Sequence, residues 1–182
     1  KSTLLNAIST LIDFDGDIII DNIHTKYMSE EAKYDLRLNE IGFIFQDYKL
    51  YETSTVLENI LLPLKSSSNK DRKKQINLAK DLLKIVKLQG MEHKMVNTLS
   101  GGEKQRVAIA RSLVNTPKFV LADEPTGSLD FKNSEFIMDI LKNISASSLV
   151  IVVSHDFELI KNYADMIVTM KDGQITDVTK YE

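Results

Sequence analysis

The run Leu99-Ser100-Gly101-Gly102-Glu103-Lys104-Gln105-Arg106 is followed by the apolar stretch Phe119-Val120-Leu121-Ala122, which ends in Asp123-Glu124. This pairing constrains the chain more than any other feature. A Ser and two Gly residues at the mouth of an amphipathic helix leave N–H groups free, and the helix dipole favours an anion there. The apolar stretch reads as a buried strand that delivers adjacent carboxylates to a sheet edge, where a metal and a water can be held. Phosphate and magnesium chemistry is the reading these residue types support. Ser100 also has a plain role as an N-cap with Glu103 just inside the helix, and Asp123-Glu124 could be helix-capping carboxylates. Capping needs one polar residue, so it leaves the rest of the run unexplained.

Size and composition narrow the field. A chain of 182 residues, 43% hydrophobic, makes one globular domain with a substantial core. A net charge of -3 with 27% charged residues gives no dominant nucleic-acid footprint. The absence of Cys excludes a disulfide framework and any thiolate metal site, and suits a reducing cytoplasm. No apolar run approaches the roughly 18–20 residues of a membrane-spanning helix, so a membrane role is expected through a partner.

Patterning predicts a helix over Lys1–Ile8 and strands near Asp17–Ile20 and Ile41–Phe45, joined by a loop rich in Asp, Asn and Lys. Thr55–Leu64 reads as a helix closed by Pro63 and a Ser66–Asn69 linker. Ile76, Ala79, Leu82, Leu83 and Val86 recur at helical spacing within Asp71–Lys87. Further helices are expected over Gly101–Val114, Asn133–Ile144 and Phe157–Tyr163. Strands are expected over Lys118–Asp123, Leu149–Val153, Met166–Met170 and Gln174–Val178, the last two joined by a tight turn at Lys171-Asp172-Gly173.

Three further motifs fall into order around these elements. Lys1-Ser2-Thr3 matches the end of G-x-x-x-x-G-K-[ST], in which Lys contacts β- and γ-phosphates and the next hydroxyl binds Mg²⁺. Gln46 closes the apolar strand Ile41-Gly42-Phe43-Ile44-Phe45, a position often filled by a solvated residue. His155 follows the strand ending at Val153, within Val153-Ser154-His155-Asp156, where a lone His is more often structural. His24 and His93 have no comparable context.

The order Lys, Gln, Ser-Gly-Gly, Asp-Glu, His resembles the ATPase subunit of ATP-binding-cassette (ABC) transporters over essentially the whole chain. The phrase Ala122-Asp123-Glu124-Pro125-Thr126-Gly127-Ser128-Leu129-Asp130, with Ile41–Gln46 and Leu61–Leu64, is most similar to the macrolide-export and lipoprotein-release branch. The resemblance implies an α/β fold: a P-loop NTPase ABC-type ATPase core over residues 1–47 and 115–182, with an inserted α-helical subdomain over 48–114. It implies ATP and Mg²⁺ as ligands. Lys1, Ser2 and Thr3 would bind phosphate; Ser2, Gln46 and Asp123 would hold the metal; Glu124 would be the general base, with Gln46 and His155 beside it. Ser100, Gly101, Gly102 and Gln105 would bind the nucleotide held by a second ATPase protomer, and Asp130 would report occupancy across that interface.

The same resemblance implies a multi-spanning membrane permease as partner, no nucleic acid, and a peripheral position on the cytoplasmic face of the cell membrane. Cargo of peptide, lipid-linked or drug-like type is the export-branch expectation. A non-transport ABC ATPase acting on DNA or ribosomes is the alternative, but no long coiled coil, second cassette or charged linker is visible. A non-hydrolysing regulatory module is a third class, against which Glu124 and His155 argue. The chain opens on Lys1 rather than Met, so upstream residues are expected, including the phosphate-binding glycines and an adenine-stacking aromatic. About four backbone N–H bonds to phosphate, together worth ~6 kcal/mol or more, would come from that loop. Residues 1–182 alone are therefore expected to bind ATP poorly.

Overall fold

A computed structural model describes residues 1–66 and 71–181. Residues 67–69 of the expected Ser66–Asn69 linker, and residue 70, lie outside it. The helices are α1 (Ser2–Ile8), α2 (Glu30–Asn39), α3 (Val56–Ile60), α4 (Arg72–Ile85), α5 (Gly101–Ser112), α6 (Phe131–Ile144) and α7 (Phe157–Lys161), with α3, α4 and α5 consecutive between β3 and β4. The strands are β1 (Ile19–Ile20), β2 (Ile23–His24), β3 (Ile41–Ile44), β4 (Phe119–Asp123), β5 (Leu149–Val153), β6 (Met166–Lys171) and β7 (Gln174–Lys180).

Strands β3, β4 and β5 form a parallel sheet with β4 in the middle. Ile41 pairs with Phe119 and Asp123 pairs with Val153. Because successive side chains point to opposite faces, the sheet sorts its residues into two layers. Ile44, Val120, Ala122, Val150 and Val152 join the larger core with α3, α4, α5 and α6. Ile41, Phe43, Phe119, Leu121, Ile151 and Val153 face the other way, against Leu5 and Ile8 of α1 and Leu36 of α2. This is the near-continuous apolar strand pattern of a parallel sheet covered on both faces.

Gly42 stands on the face covered by α5. A Cβ there would lie 2.4 Å from the carbonyl oxygen of Ser112, so strand and helix touch backbone to backbone. Two hairpins flank the sheet, β1–β2 and β6–β7. Their two-residue turns are Asp21-Asn22 (φ 49° and 64°) and Asp172-Gly173 (φ 48° and 79°), the doubly left-handed pattern that matches strand twist.

The segment between Ile20 and Ile41, expected to be a loop, contains β2 and the ten-residue α2. Ser29 caps α2 by accepting from the Ala32 N–H, Glu30 and Glu31 occupy its first turn, and Arg37 its last. No residue of α2 is fully buried, so the apolar stripe that reveals other helices is missing here. The predicted helix over Thr55–Leu64 stops at Ile60 and continues as a 3₁₀ turn over Leu62–Ser66, where Pro63 has no N–H to offer an α-helix.

Both α3 and α5 open with reciprocal capping boxes, Thr55 with Glu58 and Ser100 with Glu103. The Ser100 N–H and hydroxyl donate to Glu103 Oε2, each at 2.8 Å. These bonds hold the Glu103 carboxyl below its usual pKa of 4.5. A depressed pKa means that the stabilisation is present above pH 4.5 and is lost as pH falls through the lower folded value. We therefore expect wild type to exceed Glu103→Ala by about 1 kcal/mol at pH 7. Urea denaturation should show that gap closing below pH 4; a gap independent of pH would refute the charge assignment.

Candidate active site

The period-two alternation explains how the first parts of the site meet. Asp123 shares a face with Leu121 and Phe119, and α1 covers that face. Ser2, at the start of α1, donates its hydroxyl to Asp123 Oδ1 at 2.8 Å. Lys1 Nζ donates to the Ser154 carbonyl at 3.2 Å, just beyond β5. The phosphate-type Lys-Ser pair thus lies across the C-terminal ends of β4 and β5, where open α/β sheets bind ligands.

Glu124 leaves the strand. Its φ is +47°, a left-handed conformation that costs a non-glycine residue on the order of 1 kcal/mol. The surroundings hold it there: its N–H donates to the Val153 carbonyl at 2.9 Å, and its own carbonyl accepts from Gly127 N–H at 3.1 Å. The turn sends the carboxylate into a cleft of about 850 Å³ that also receives Lys1, Ser2, Gln46, Ser154 and His155. Oε1 of Glu124 lies 3.1 Å from His155 Nε2, with the imidazole 80% exposed and the carboxylate side chain 12% exposed. That contact lacks hydrogen-bond geometry, and Oε1 is buried with no hydrogen-bond partner among the described residues. A buried carboxylate oxygen without a donor is costly and suits a polar ligand such as water.

The cleft therefore gathers Lys1, Ser2, Gln46, Glu124 and His155 from α1 and from the ends of β3, β4 and β5. Asp123 joins them through Ser2. Thr3, the second residue of α1, is exposed and does not line the cleft. Ser100, Gly101 and Gly102 also lie outside it, at the first turn of α5. Gln105 is 1% exposed, and its Nε2 is unpartnered among the described residues. Asp130 serves as the N-cap of α6, accepting from Asn133 N–H at 2.9 Å and Asn133 Nδ2 at 2.6 Å. Those bonds hold its carboxyl below the usual range.

The sequence reading missed two buried anchors behind the cleft. Arg111 of α5, 9% exposed, donates to the carbonyls of Lys49 and Tyr48, the latter at 2.8 Å. Burial lowers its pKa from the usual arginine value. Asn59 of α3, 1% exposed, accepts from Tyr51 N–H and donates to the carbonyls of Tyr51 and Thr55. Together they fix the loop that follows Gln46. Asn59 interrupts the apolar run Val56–Leu64, and a polar residue on such a face is the signal that could have revealed it. Arg111 had no comparable signal.

A family model described as ABC transporter matches residues 1–127. The chain belongs to the ABC transporter ATP-binding family. It is 41% identical to an uncharacterized ABC transporter ATP-binding protein of Methanocaldococcus jannaschii, over 98% of this chain and 80% of that one. It is 39% identical to the macrolide export ATP-binding/permease protein MacB of Mannheimia succiniciproducens, over 99% of this chain and 28% of that longer protein. The dimeric post-hydrolysis structure of the ATP-binding cassette MJ0796 of M. jannaschii, bound to ADP and Pi, superposes with a TM-score of 0.88. Identity to that cassette is 37%, with 98% of this chain and 79% of that chain covered. The cassette cbiO1 of Clostridium perfringens, part of the transporter complex cbiONQ, gives a TM-score of 0.87 at 29% identity, over 98% of this chain and 72% of that one.

The protein is thus an ATP-binding subunit of an ABC transporter with the α/β ABC ATPase fold, in a family whose members are generally ATP hydrolases. ABC cassettes form dimers and pair with membrane components. Among the described residues of this cassette, no helix is long and apolar enough to cross a membrane.

No group of three or more His, Asp or Glu side chains converges among the described residues, which is unlike an all-protein metal cage. The Ser2 hydroxyl and the Asp123 carboxylate, 2.8 Å apart, are hard oxygen donors of the kind Mg²⁺ uses when waters and phosphate complete its shell. The residues fit the ion.

Proposed function

We propose that this cassette hydrolyses ATP in a Mg²⁺-dependent reaction and thereby powers transport by a multi-spanning permease. The observation that carries the reading is the convergence of Lys1, Ser2, Gln46, Glu124 and His155 on one cleft, although they are scattered across the chain. Phosphoryl transfer depends mainly on positioning and charge stabilisation. Lys1 places a cation at the β- and γ-phosphates. Ser2 and Asp123, with Gln46 just beyond the end of β3, would hold a magnesium ion, which would neutralise charge on the phosphate oxygens. Glu124 accepts the proton of the attacking water at its carboxylate, and His155, whose Nε2 lies 3.1 Å from Oε1, contacts the γ-phosphate beside it.

Ser100, Gly101 and Gly102 lie outside this cleft, which accords with a role on the nucleotide of a second protomer. In a head-to-tail dimer the first turn of α5 supplies the hydroxyl and N–H groups that close the partner's site, with Asp130 at the crossing loop. Hydrolysis is then tied to closure. The helical unit over residues 48–114 transmits that closure to the permease, and the cassette is peripheral to the cytoplasmic face of the membrane. The relative described as a macrolide export ATP-binding/permease protein supports export; the cargo we propose is of peptide, lipid-linked or drug-like type.

The reading is tested by tagging the protein in its own cells and solubilising membranes in detergent, followed by mass spectrometry. A multi-spanning protein at stoichiometric yield is expected. Recovery alone, or with ribosomes or DNA, would overturn the transport assignment.

A further inference from the structure

Resting on the ATPase reading above, the geometry points to Tyr48 as a positioning residue that ties the loop after Gln46 to two other segments of the same protomer. Tyr48 and the following Lys49 both have left-handed φ, 61° and 48°, so the chain turns sharply two residues after Gln46. Arg111 holds this turn at its backbone, donating to both carbonyls from near the C-terminal end of α5. The side chain runs to the other end of that helix. A Cβ placed on Gly101 would lie 3.2 Å from the Tyr48 hydroxyl oxygen. The same hydroxyl is 2.9 Å from Ser128 Oγ, in the loop between Glu124 and Asp130.

One residue thus touches three parts of the machinery. Its backbone is pinned by α5, its hydroxyl packs over the glycine turn of α5, and its hydrogen bond reaches the loop that carries Glu124 at one end and Asp130 at the other. Displacing the Gln46 loop must therefore drag the Ser128 loop with it, or break the Tyr48–Ser128 bond. A side chain at 101 would crowd the phenol, which would have to give by a few tenths of an ångström.

Substitution of Tyr48 by Phe removes only the hydroxyl. Hydrogen exchange at Gly127 and Leu129 is the first readout, because their amides donate to the Glu124 and Thr126 carbonyls within the tethered loop. Exchange is expected to quicken about threefold to tenfold, the range one modest hydrogen bond supports. Ser128→Ala should do the same, the double variant no more than either alone, and Ser128→Thr should restore protection. In steady-state ATP hydrolysis by the protein, Tyr48→Phe should lower kcat severalfold with KM for ATP unchanged, since Tyr48 does not line the cleft. Unaltered exchange, additive variants, or an effect confined to KM would overturn the inference. Absence of hydrolysis in full-length wild type purified from its own cells would instead remove the ATPase reading, and the exchange data would still decide whether the tether exists.

Discussion

Replacing Glu124 by Gln is expected to lower ATP turnover by roughly 10²–10⁴, the contribution of a positioned general base, while nucleotide binding survives. The isostere keeps the shape of a side chain that is only 12% exposed, so the left-handed turn at φ +47° and its bonds to Val153 and Gly127 should persist. What disappears is the capacity to accept a proton at Oε1, which has no hydrogen bond among the described residues. Binding groups on Lys1 and Ser2 are untouched. Equilibrium binding of ATP and single-turnover hydrolysis should therefore part company: affinity near wild type, chemistry slowed. Near-normal turnover would remove Glu124 from the base role and shift attention to His155, 3.1 Å away. Loss of binding and turnover together would mean that the carboxylate shapes the cleft rather than doing proton chemistry.

Much of this site was legible because its residues sit at the ends of strongly patterned elements. The apolar runs ending at Ile44, Asp123 and Val153 are the three strands of the parallel sheet. Strand ends in such a sheet are where Gln46, Glu124 and His155 had to emerge. Period-two alternation even dictates that Asp123, in step with Leu121, faces α1 and so meets Ser2. Less was legible where the stabilising groups are polar or backbone. Helix α2 buries no residue, leaving the Ser29 cap and the charges of its end turns, with no apolar stripe, to announce it. Arg111 and Asn59 act by bonding to the carbonyls and N–H groups of a loop, and no side-chain pattern records where a backbone group will lie. The left-handed turn at Tyr48 and Lys49 is equally silent, because neither residue type favours it.

The largest structural effect is expected at Gly42, a position whose sequence context says only that a strand contains a glycine. Gly42→Ala would put a methyl group 2.4 Å from the Ser112 carbonyl oxygen, 3.2 Å from its carbon and 3.0 Å from Pro117 Cγ. Rotamer changes cannot relieve a clash between backbone and backbone, so β3 and α5 must separate. Overpacking of this kind costs about 3 kcal/mol, or roughly 6–12 °C in Tm for a domain of this size. The shift would also carry α5 away from the sheet, taking with it Ser100 at one end and the Arg111 anchor at the other. Gly16→Ala separates this cause from simple loss of glycine. Gly16 has φ +112° with nothing within 4 Å of its added Cβ, so only backbone strain of about 1–2 kcal/mol applies there. Thermal melts of the two variants should rank Gly42→Ala well below Gly16→Ala. Equal melting temperatures would show that parting β3 from α5 costs no more than the backbone strain at Gly16, and would overturn the overpacking argument.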